Sequence, residues 1–400
     1  MLKQKQQVRV EDLRPGMYVL ELDRPWLGTP FTFQGFEITS SEQIKSLAQY
    51  CKTVFIDKDY TYPGGSVSIG LLDSSSVRGA TQYQDVSTVE KEIPVARELF
   101  DACDDAVRNS IEALRAQGQI DPKMLTGTVR AMSESIQRNP SAMLLLVKIR
   151  QMGELELHRA TDTSVIMIAF GRFLQVAPER LELLGLAGLL LDIGKVRIPD
   201  AILHKKGLLT ADEYEIARSH VKHAIDILRS GKMNEDVVKI VMQHHERQDG
   251  SGYPLGLRGE EISLEGSIAA IVDSYSALTS QRPYANQKSP SDALSSLYKV
   301  RGKLYHEALM EQFIQCIGIY PVGSAVELNT GEIGIVIAQN IVRRLQPRVM
   351  VILDRDMKPI RPQKLLDLVK GPRATPDEVY RIRRTIPSDK LPVDPRDFFI

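Results

Sequence analysis

Three apolar runs in this 400-residue chain stop abruptly on side chains that hydrocarbon cannot solvate. LLGLAGLLL (183–191) meets Asp192, VVKIVMQ (237–243) meets His244 and His245, and SIAAIV (267–272) meets Asp273. Burying an unpaired carboxylate costs on the order of several kcal/mol, so each aspartate demands a cation or a cluster of donors. Two buried helices that both end this way point to one shared cluster. His220 joins the set from a helix whose start is written as TADE: Glu213 follows Thr210 by three residues, a capping box, and His220 sits four residues beyond Ile216, near the apolar face. Singly, a histidine is more often a core or surface residue than a ligand, and an aspartate at a helix end is more often a cap. Jointly, at spacings of 28 (192 to 220), 24 (220 to 244) and 28 (245 to 273), they read as a metal site. Adjacent helical residues diverge by about 100°, so His244 and His245 reach one metal only from a helix that skirts it. Imidazoles mixed with carboxylates suit iron, manganese or zinc better than magnesium or calcium, which prefer all-oxygen shells.

The rest of the chain supplies a frame for that site. Its 51 basic and 51 acidic residues cancel, which argues against a nucleic acid polymer or an anionic membrane as a general partner. The longest apolar run is about half of the roughly 20 residues a membrane span needs, and MLKQKQQVRV has no apolar stretch behind its charges. Cys51, Cys103 and Cys316 are few, scattered and without CxxC spacing, which fits small core residues in a reducing cytoplasm. Residues 1–61 alternate strand-like segments with turns around one helix, SSEQIKSLAQY, and read as a small α+β domain. Residues 62–87 have the composition of a linker, and 88–320 are helical almost throughout. Residues 321–400 switch to strand periodicity, predicting a β appendage followed by a proline-rich tail extended over the surface. The fold class expected is therefore mainly α, with a small α+β domain before the helices and a short β appendage after them.

The segments LLLDIGKVRIPDAILHKKGLLT, RSHVKHAIDIL, HHERQDGSGYPLGLRGEEI and IVDSYSALTSQRPY together resemble the HD-GYP domain, a branch of the HD phosphohydrolase superfamily, over about residues 150–320. VEDLRPGMYVLELDRPWLGTPF is similar to a small domain of unassigned role that often precedes it. The resemblance implies a helical enzyme that hydrolyses cyclic di-GMP with two or three metals, which lower the pKa of a water and neutralise charge at phosphorus. It implies Asp192 as the bridging carboxylate, Lys195 as the lysine that helps the leaving oxygen, and His220, His244 and His245 as ligands of one metal. Asp273 would serve the other metal. Arg282 would grip a substrate phosphate, for which a guanidinium fork is suited. Gly252, Tyr253 and Pro254 would form the signature loop, able to engage a partner such as a cyclase domain.

Departures from that pattern fall mainly on one metal and on the phosphate grip. Leu191 stands where the family has the histidine of its His-Asp pair. Arg159, with His158 beside it, occupies the register of a second histidine, and Leu155 that of an acidic ligand. After RPY the expected basic residues are Ala285 and Asn286, with Lys288 nearby. The expectation is one fully liganded metal, with Arg159 placing a fixed cation near Asp192 or Asp273 in lieu of another. Hydrolysis is then weak or lost, and the protein acts as a regulatory relative. The alternative is an active phosphodiesterase yielding the linear dinucleotide or GMP. A metal-free scaffold whose histidines merely hydrogen-bond is the weakest of the three readings.

Overall fold

The computed structural model describes residues 5–14, 17–23, 36–38, 41–57, 77–150, 158–205, 207–280, 288–340, 343–386 and 391–398. The chain forms two compact units, Met1–Asp73 and Ser74–Ile400. In the first, β1 (Lys5–Arg9), β2 (Tyr18–Leu22), β3 (Phe36–Glu37) and β4 (Thr53–Asp57) pair antiparallel in the order β1-β4-β2-β3, with α1 (Ser41–Tyr50) between β3 and β4 in sequence. The alternation in TVFID turns Val54 and Ile56 inward, where they join Val10, Val19, Ile38 and Leu47 in a small core.

The second unit is helical until residue 317. Its first members are α2 (Val89–Gln117), α3 (Pro122–Arg138), α4 (Pro140–Arg150), α5 (His158–Phe173) and α6 (Pro178–Leu190). Local signals set their ends: Asp121 caps α3 by accepting from the Lys123 amide at 2.9 Å, with Pro122 at the first helical position. Asn139 closes α3, and its side chain accepts from Ser141 N at 2.9 Å to start α4. After the short α7 (Asp200–Leu203) comes α8 (Ala211–Arg218), where Thr210 and Glu213 form the complete capping box. This helix does not carry His220, as the sequence suggested. Ser219 bends the chain, its hydroxyl bonded to Ile216 O at 2.6 Å, and α9 (His220–Ser230) begins anew. Then come α10 (Glu235–Gln243), α11 (Leu264–Thr279), α12 (Pro290–Tyr298) and α13 (Glu307–Ile317). The apolar helices α5, α6, α10 and α11 pack together, which draws the start of α5 and the ends of α6 and α10 to one place. The helix expected to stop on Asp273 instead runs on to Thr279, so Asp273 joins them from the interior of α11.

A five-stranded antiparallel sheet completes this unit in the order β11-β5-β6-β7-β8. Its strands are β5 (Ala325–Leu328), β6 (Ile333–Ala338), β7 (Arg348–Leu353), β8 (Pro359–Asp367) and β11 (Ile382–Ile386), while β9 (Arg373–Thr375) and β10 (Glu378–Val379) form a separate hairpin. One face buries Ile333, Ile335, Ile337 and Ile352 against Val89 of α2 and Leu145 and Ile149 of α4. The other buries Val326, Val336, Val349 and Val351 under Tyr320, Leu366 and Tyr380. The sheet is thus covered on both sides.

The tail expected to run over the surface instead supplies the edge strand β11. Arg383 and Arg384 converge on the nearly buried Glu327 of β5 at 2.9 and 2.6 Å, and Leu391, Val393 and Phe398 pack on the sheet core. Proline content there masked an edge strand, where unpaired amides are tolerated.

The turn after α6 rests directly on α9. A Cβ at Gly194 would lie 1.9 Å from the carbonyl oxygen of His220 and 2.6 Å from Ala224 N, so only glycine fits without moving backbone. Gly194→Ala is expected to lower stability by roughly 1–3 kcal/mol, seen as a fall in the urea midpoint. Gly127→Ala, in an open stretch of α3 with nothing within 4 Å, should instead stabilise by about 0.5–1 kcal/mol. Equal midpoints for the two variants would contradict the tight seat of Gly194.

Candidate metal centre

The end of α6, the start of α9 and the end of α10 deliver ligand-type side chains to the cluster, two of them after α10, and α11 adds Asp273 from its interior. Asp192 follows α6 and opens the 3-10 turn Ile193–Arg197, which folds Lys195 back until its Nζ lies 2.7 Å from Asp192 Oδ2. His220 is the first residue of α9, His244 caps α10, and His245 follows it. Their ligand nitrogens all fall within 4.8 Å of one another. His220 Nε2 lies 3.7 Å from Asp192 Oδ1, and His245 Nδ1 lies 3.9 Å from Asp273 Oδ2.

Tautomers follow from the backbone. Nδ1 of His220 sits 2.7 Å from Ala217 O, and Nδ1 of His244 sits 2.5 Å from Val241 O. A carbonyl only accepts, so each Nδ1 carries the proton and each Nε2 presents a lone pair. Both Nε2 atoms are buried, and neither has a hydrogen-bond partner among the described residues. Two orphaned imidazole lone pairs facing a third imidazole and a carboxylate are what a metal ion would satisfy, and the outward Nδ1–H bond to a carbonyl is how metal-bound histidines are usually oriented.

Electrostatics point the same way. Burial pushes His220 down to about 4, against the opposing pull of Asp192, and burial likewise lowers His244 and His245. All three imidazoles are therefore neutral near pH 7, the state a metal requires. Burial alone would raise Asp192, but Lys195, Arg159 and His220 outweigh it and hold the carboxyl well below its usual range. Arg159, in the first turn of α5, reaches both aspartates: Nη2 is 2.8 Å from Asp273 Oδ1, and Nη1 is 3.6 Å from Asp192 Oδ2. Arg159, Asp192, Lys195 and Asp273 line a cavity of about 420 Å³.

The loop after His245 is tied to the cluster. Tyr253 stacks on the His245 ring at 4.7 Å, its amide donates to His245 O at 3.2 Å, and the Arg218 guanidinium lies 4.5 Å from the centroid of the Tyr253 ring. A Cβ at Gly252 would meet Arg247 N at 2.4 Å and Glu246 Cα at 2.5 Å, which explains the glycine. Pro254 follows, and Glu246 then accepts from the amides of Leu255 at 2.7 Å and Leu257 at 3.0 Å. Glu246 was not singled out from the sequence. The third letter of HHE is the available signal, and what it bonds lies nine and eleven residues away.

Other expected residues are placed less centrally or not described. Leu191 is buried. Lys288, exposed two residues before α12, turns to Ser296 Oγ in the last turn of that helix at 2.9 Å. Leu155, Arg282, Ala285 and Asn286 lie outside the described residues, as does the side chain of His158.

Comparison with known proteins follows the same outline. Residues 145–309 match the HD domain family. A cyclic di-GMP phosphodiesterase of Pseudomonas aeruginosa is 33% identical over 90% of this chain and 88% of its own. This chain belongs to the HD-GYP family. Within that family, a cyclic di-GMP phosphodiesterase of Thermotoga maritima is 42% identical over 31% of this chain and 34% of its own. A solved structure of an HDG"Y"P protein from Bdellovibrio bacteriovorus is 16% identical and covers 78% of this chain and 98% of that one at a TM-score of 0.40. Outside the HD domain, residues 5–125 match a domain of unknown function, which here reaches into α3. Residues 325–375 match a KOW domain associated with HD domains, corresponding to β5–β9. No helix among the described residues is long and apolar enough to cross a membrane.

Glu246→Gln leaves one acceptor for two amides and costs about 1–3 kcal/mol locally. Amide exchange at Leu255 and Leu257 should then accelerate about tenfold or more, with α10 protection retained. Unchanged exchange at both amides would show that the carboxylate does not pin the HD-GYP loop.

Proposed function

We propose that this HD-GYP protein handles cyclic di-GMP through a site that keeps one complete metal position, hydrolyses the phosphodiester slowly or not at all, and serves as a regulatory relative in second-messenger signalling. His220, His244, His245 and Asp192 would hold a divalent transition metal, iron or manganese by preference and zinc as a further candidate. When bound, it supplies a Lewis acid that lowers the pKa of a water and neutralises charge at phosphorus.

The observation that carries the reading is Arg159 between Asp192 and Asp273. Its guanidinium brings one fixed positive charge and N–H donors, so it can offset carboxylate charge and hydrogen-bond a phosphate oxygen. It has no vacant orbital with which to acidify water. Losing one metal of a pair removes on the order of 3–5 kcal/mol of transition-state stabilisation, a factor of hundreds to thousands in rate. Lys195, partly exposed at the cavity and ion-paired to Asp192, is held where an ammonium could donate to a leaving oxygen. Asp273 is assigned to Arg159 rather than to a second metal.

The alternative, an active phosphodiesterase yielding linear dinucleotide or GMP, is favoured by the intact Asp192–Lys195 pair and by the name of the Pseudomonas relative. Arg282, where the resemblance puts a phosphate contact, belongs to either reading. For partner binding, Leu255 is 59% exposed beside Gly252, Tyr253 and Pro254, a surface that suits a cyclase domain. Cytoplasmic placement fits three cysteines free of disulfides.

Anaerobic incubation with ferrous iron or manganese and cyclic di-GMP, followed by chromatography, tests the proposal together with metal analysis. One metal per chain is expected, lost in His244→Ala, with slow or no product. Arg159→Ala should destabilise the metal-free protein by roughly 1–3 kcal/mol, discounted for its partial exposure, with stability regained on adding manganese. Two metals per chain with turnover at ordinary enzyme rates, abolished by Asp192→Ala, would establish the alternative instead.

A further inference from the structure

The cavity beside the metal centre has a second wall that the HD domain match does not include. Besides Arg159, Asp192, Lys195 and Asp273, it is lined by Val107, Ser110, Ile111 and Arg115 of α2. These fall at i, i+3, i+4 and i+8, one face of a helix, and span about 12 Å along it. They lie before residue 145, where the HD domain match begins, and inside the domain of unknown function.

The chemistry of this wall is that of a base pocket. Val107 and Ile111 offer an apolar surface to a planar ring. Ser110 is 3% exposed, and its Oγ has no hydrogen-bond partner among the described residues. A helical serine ordinarily satisfies its hydroxyl on the carbonyl one turn back, so a buried hydroxyl left open at a cavity awaits a ligand atom. Arg115 has an exposed side chain, lines the same cavity, and forms no ion pair or hydrogen bond among the described residues. At about 420 Å³ the cavity falls within the range of small-molecule sites.

We infer that this face of α2 is the subsite for one base of a cyclic dinucleotide, and that Arg115 reads guanine through its O6 and N7 acceptors. A guanidinium fork matches those two acceptors, whereas adenine presents an amino donor in place of O6 and repels it. Selectivity for guanine over adenine then comes from a helix outside the metal-binding motifs. The inference rests on reading the cavity as a cyclic dinucleotide site.

The test is calorimetric titration of the full-length protein, loaded anaerobically with manganese, with cyclic di-GMP and with cyclic di-AMP. Wild type should prefer cyclic di-GMP. Arg115→Ala should weaken cyclic di-GMP about tenfold or more and leave cyclic di-AMP within about twofold, with manganese content unchanged. Ser110→Ala, which removes only a hydroxyl from a buried site, should fold normally and weaken cyclic di-GMP by a smaller factor. If wild type binds cyclic di-GMP and Arg115→Ala binds it equally well, the base subsite is wrong while the functional reading stands. Equal weakening of both nucleotides would mark Arg115 as a phosphate contact and overturn the guanine assignment. Binding of neither nucleotide by metal-loaded wild type would overturn the functional reading and this inference with it.

Discussion

An ionised carboxylate set among apolar helices must be neutralised where it stands, and this molecule has two, one just after α6 and one inside α11, within reach of one arginine. Asp192 and Asp273 arrive on α6 and α11, elements apolar enough to be buried for most of their length. Asp273, nearly buried inside α11, cannot reach bulk water without unpacking its helix, whereas Asp192 is 31% exposed and faces the cavity. Lys195 answers from the following turn and Arg159 from α5, and the three imidazoles bring ligand nitrogens within 4.8 Å of one another, those of His220 and His244 with their lone pairs inward. Gly194, by letting that turn sit on the His220 carbonyl, brings the carboxylate side and the imidazole side together. The centre is thus a consequence of packing before it is a consequence of chemistry.

How much of this could be read from the sequence depends on the range of the interaction. The caps at Asp121 and Thr210 involve neighbours two and three residues away, and they were legible. So was the convergence of the histidines, because three apolar runs had to bury and each ended on a ligand-type residue. The break at Ser219 was not legible: its backbone stays close to helical values, with φ −63° and ψ −12°, and periodicity continues through it. The edge strand β11 was hidden because its pairing partner lies more than fifty residues away, and proline-rich composition spoke louder locally. The α2 wall left no trace either, since Val107 and Ile111 look like any core positions of an amphipathic helix.

Arg159 lies between these extremes. Register within the family pointed to its position, and charge suggested an aspartate as its partner. Only the folded chain shows that it reaches both aspartates, across 114 residues to Asp273. Leu191 fits the same picture from the other side. An isobutyl group there is buried and asks for no ligand, and it shares the cavity wall with Asp192 and Arg159.

The shared core of the C-terminal sheet and the helices has a consequence for how this architecture can be inherited. Val89 lies in the sheet core, and the same uninterrupted helix of 29 residues continues to the wall of the cavity. At 1.5 Å per residue that helix is a strut about 43 Å long. It fixes the spacing between sheet and cavity, as a jointed linker would not. A recombination event that copied only residues 145–309 would strip Leu145 and Ile149 of their cover and remove one wall of the cavity. In this chain, sheet, strut and metal-bearing helices are therefore one packed body rather than separable modules.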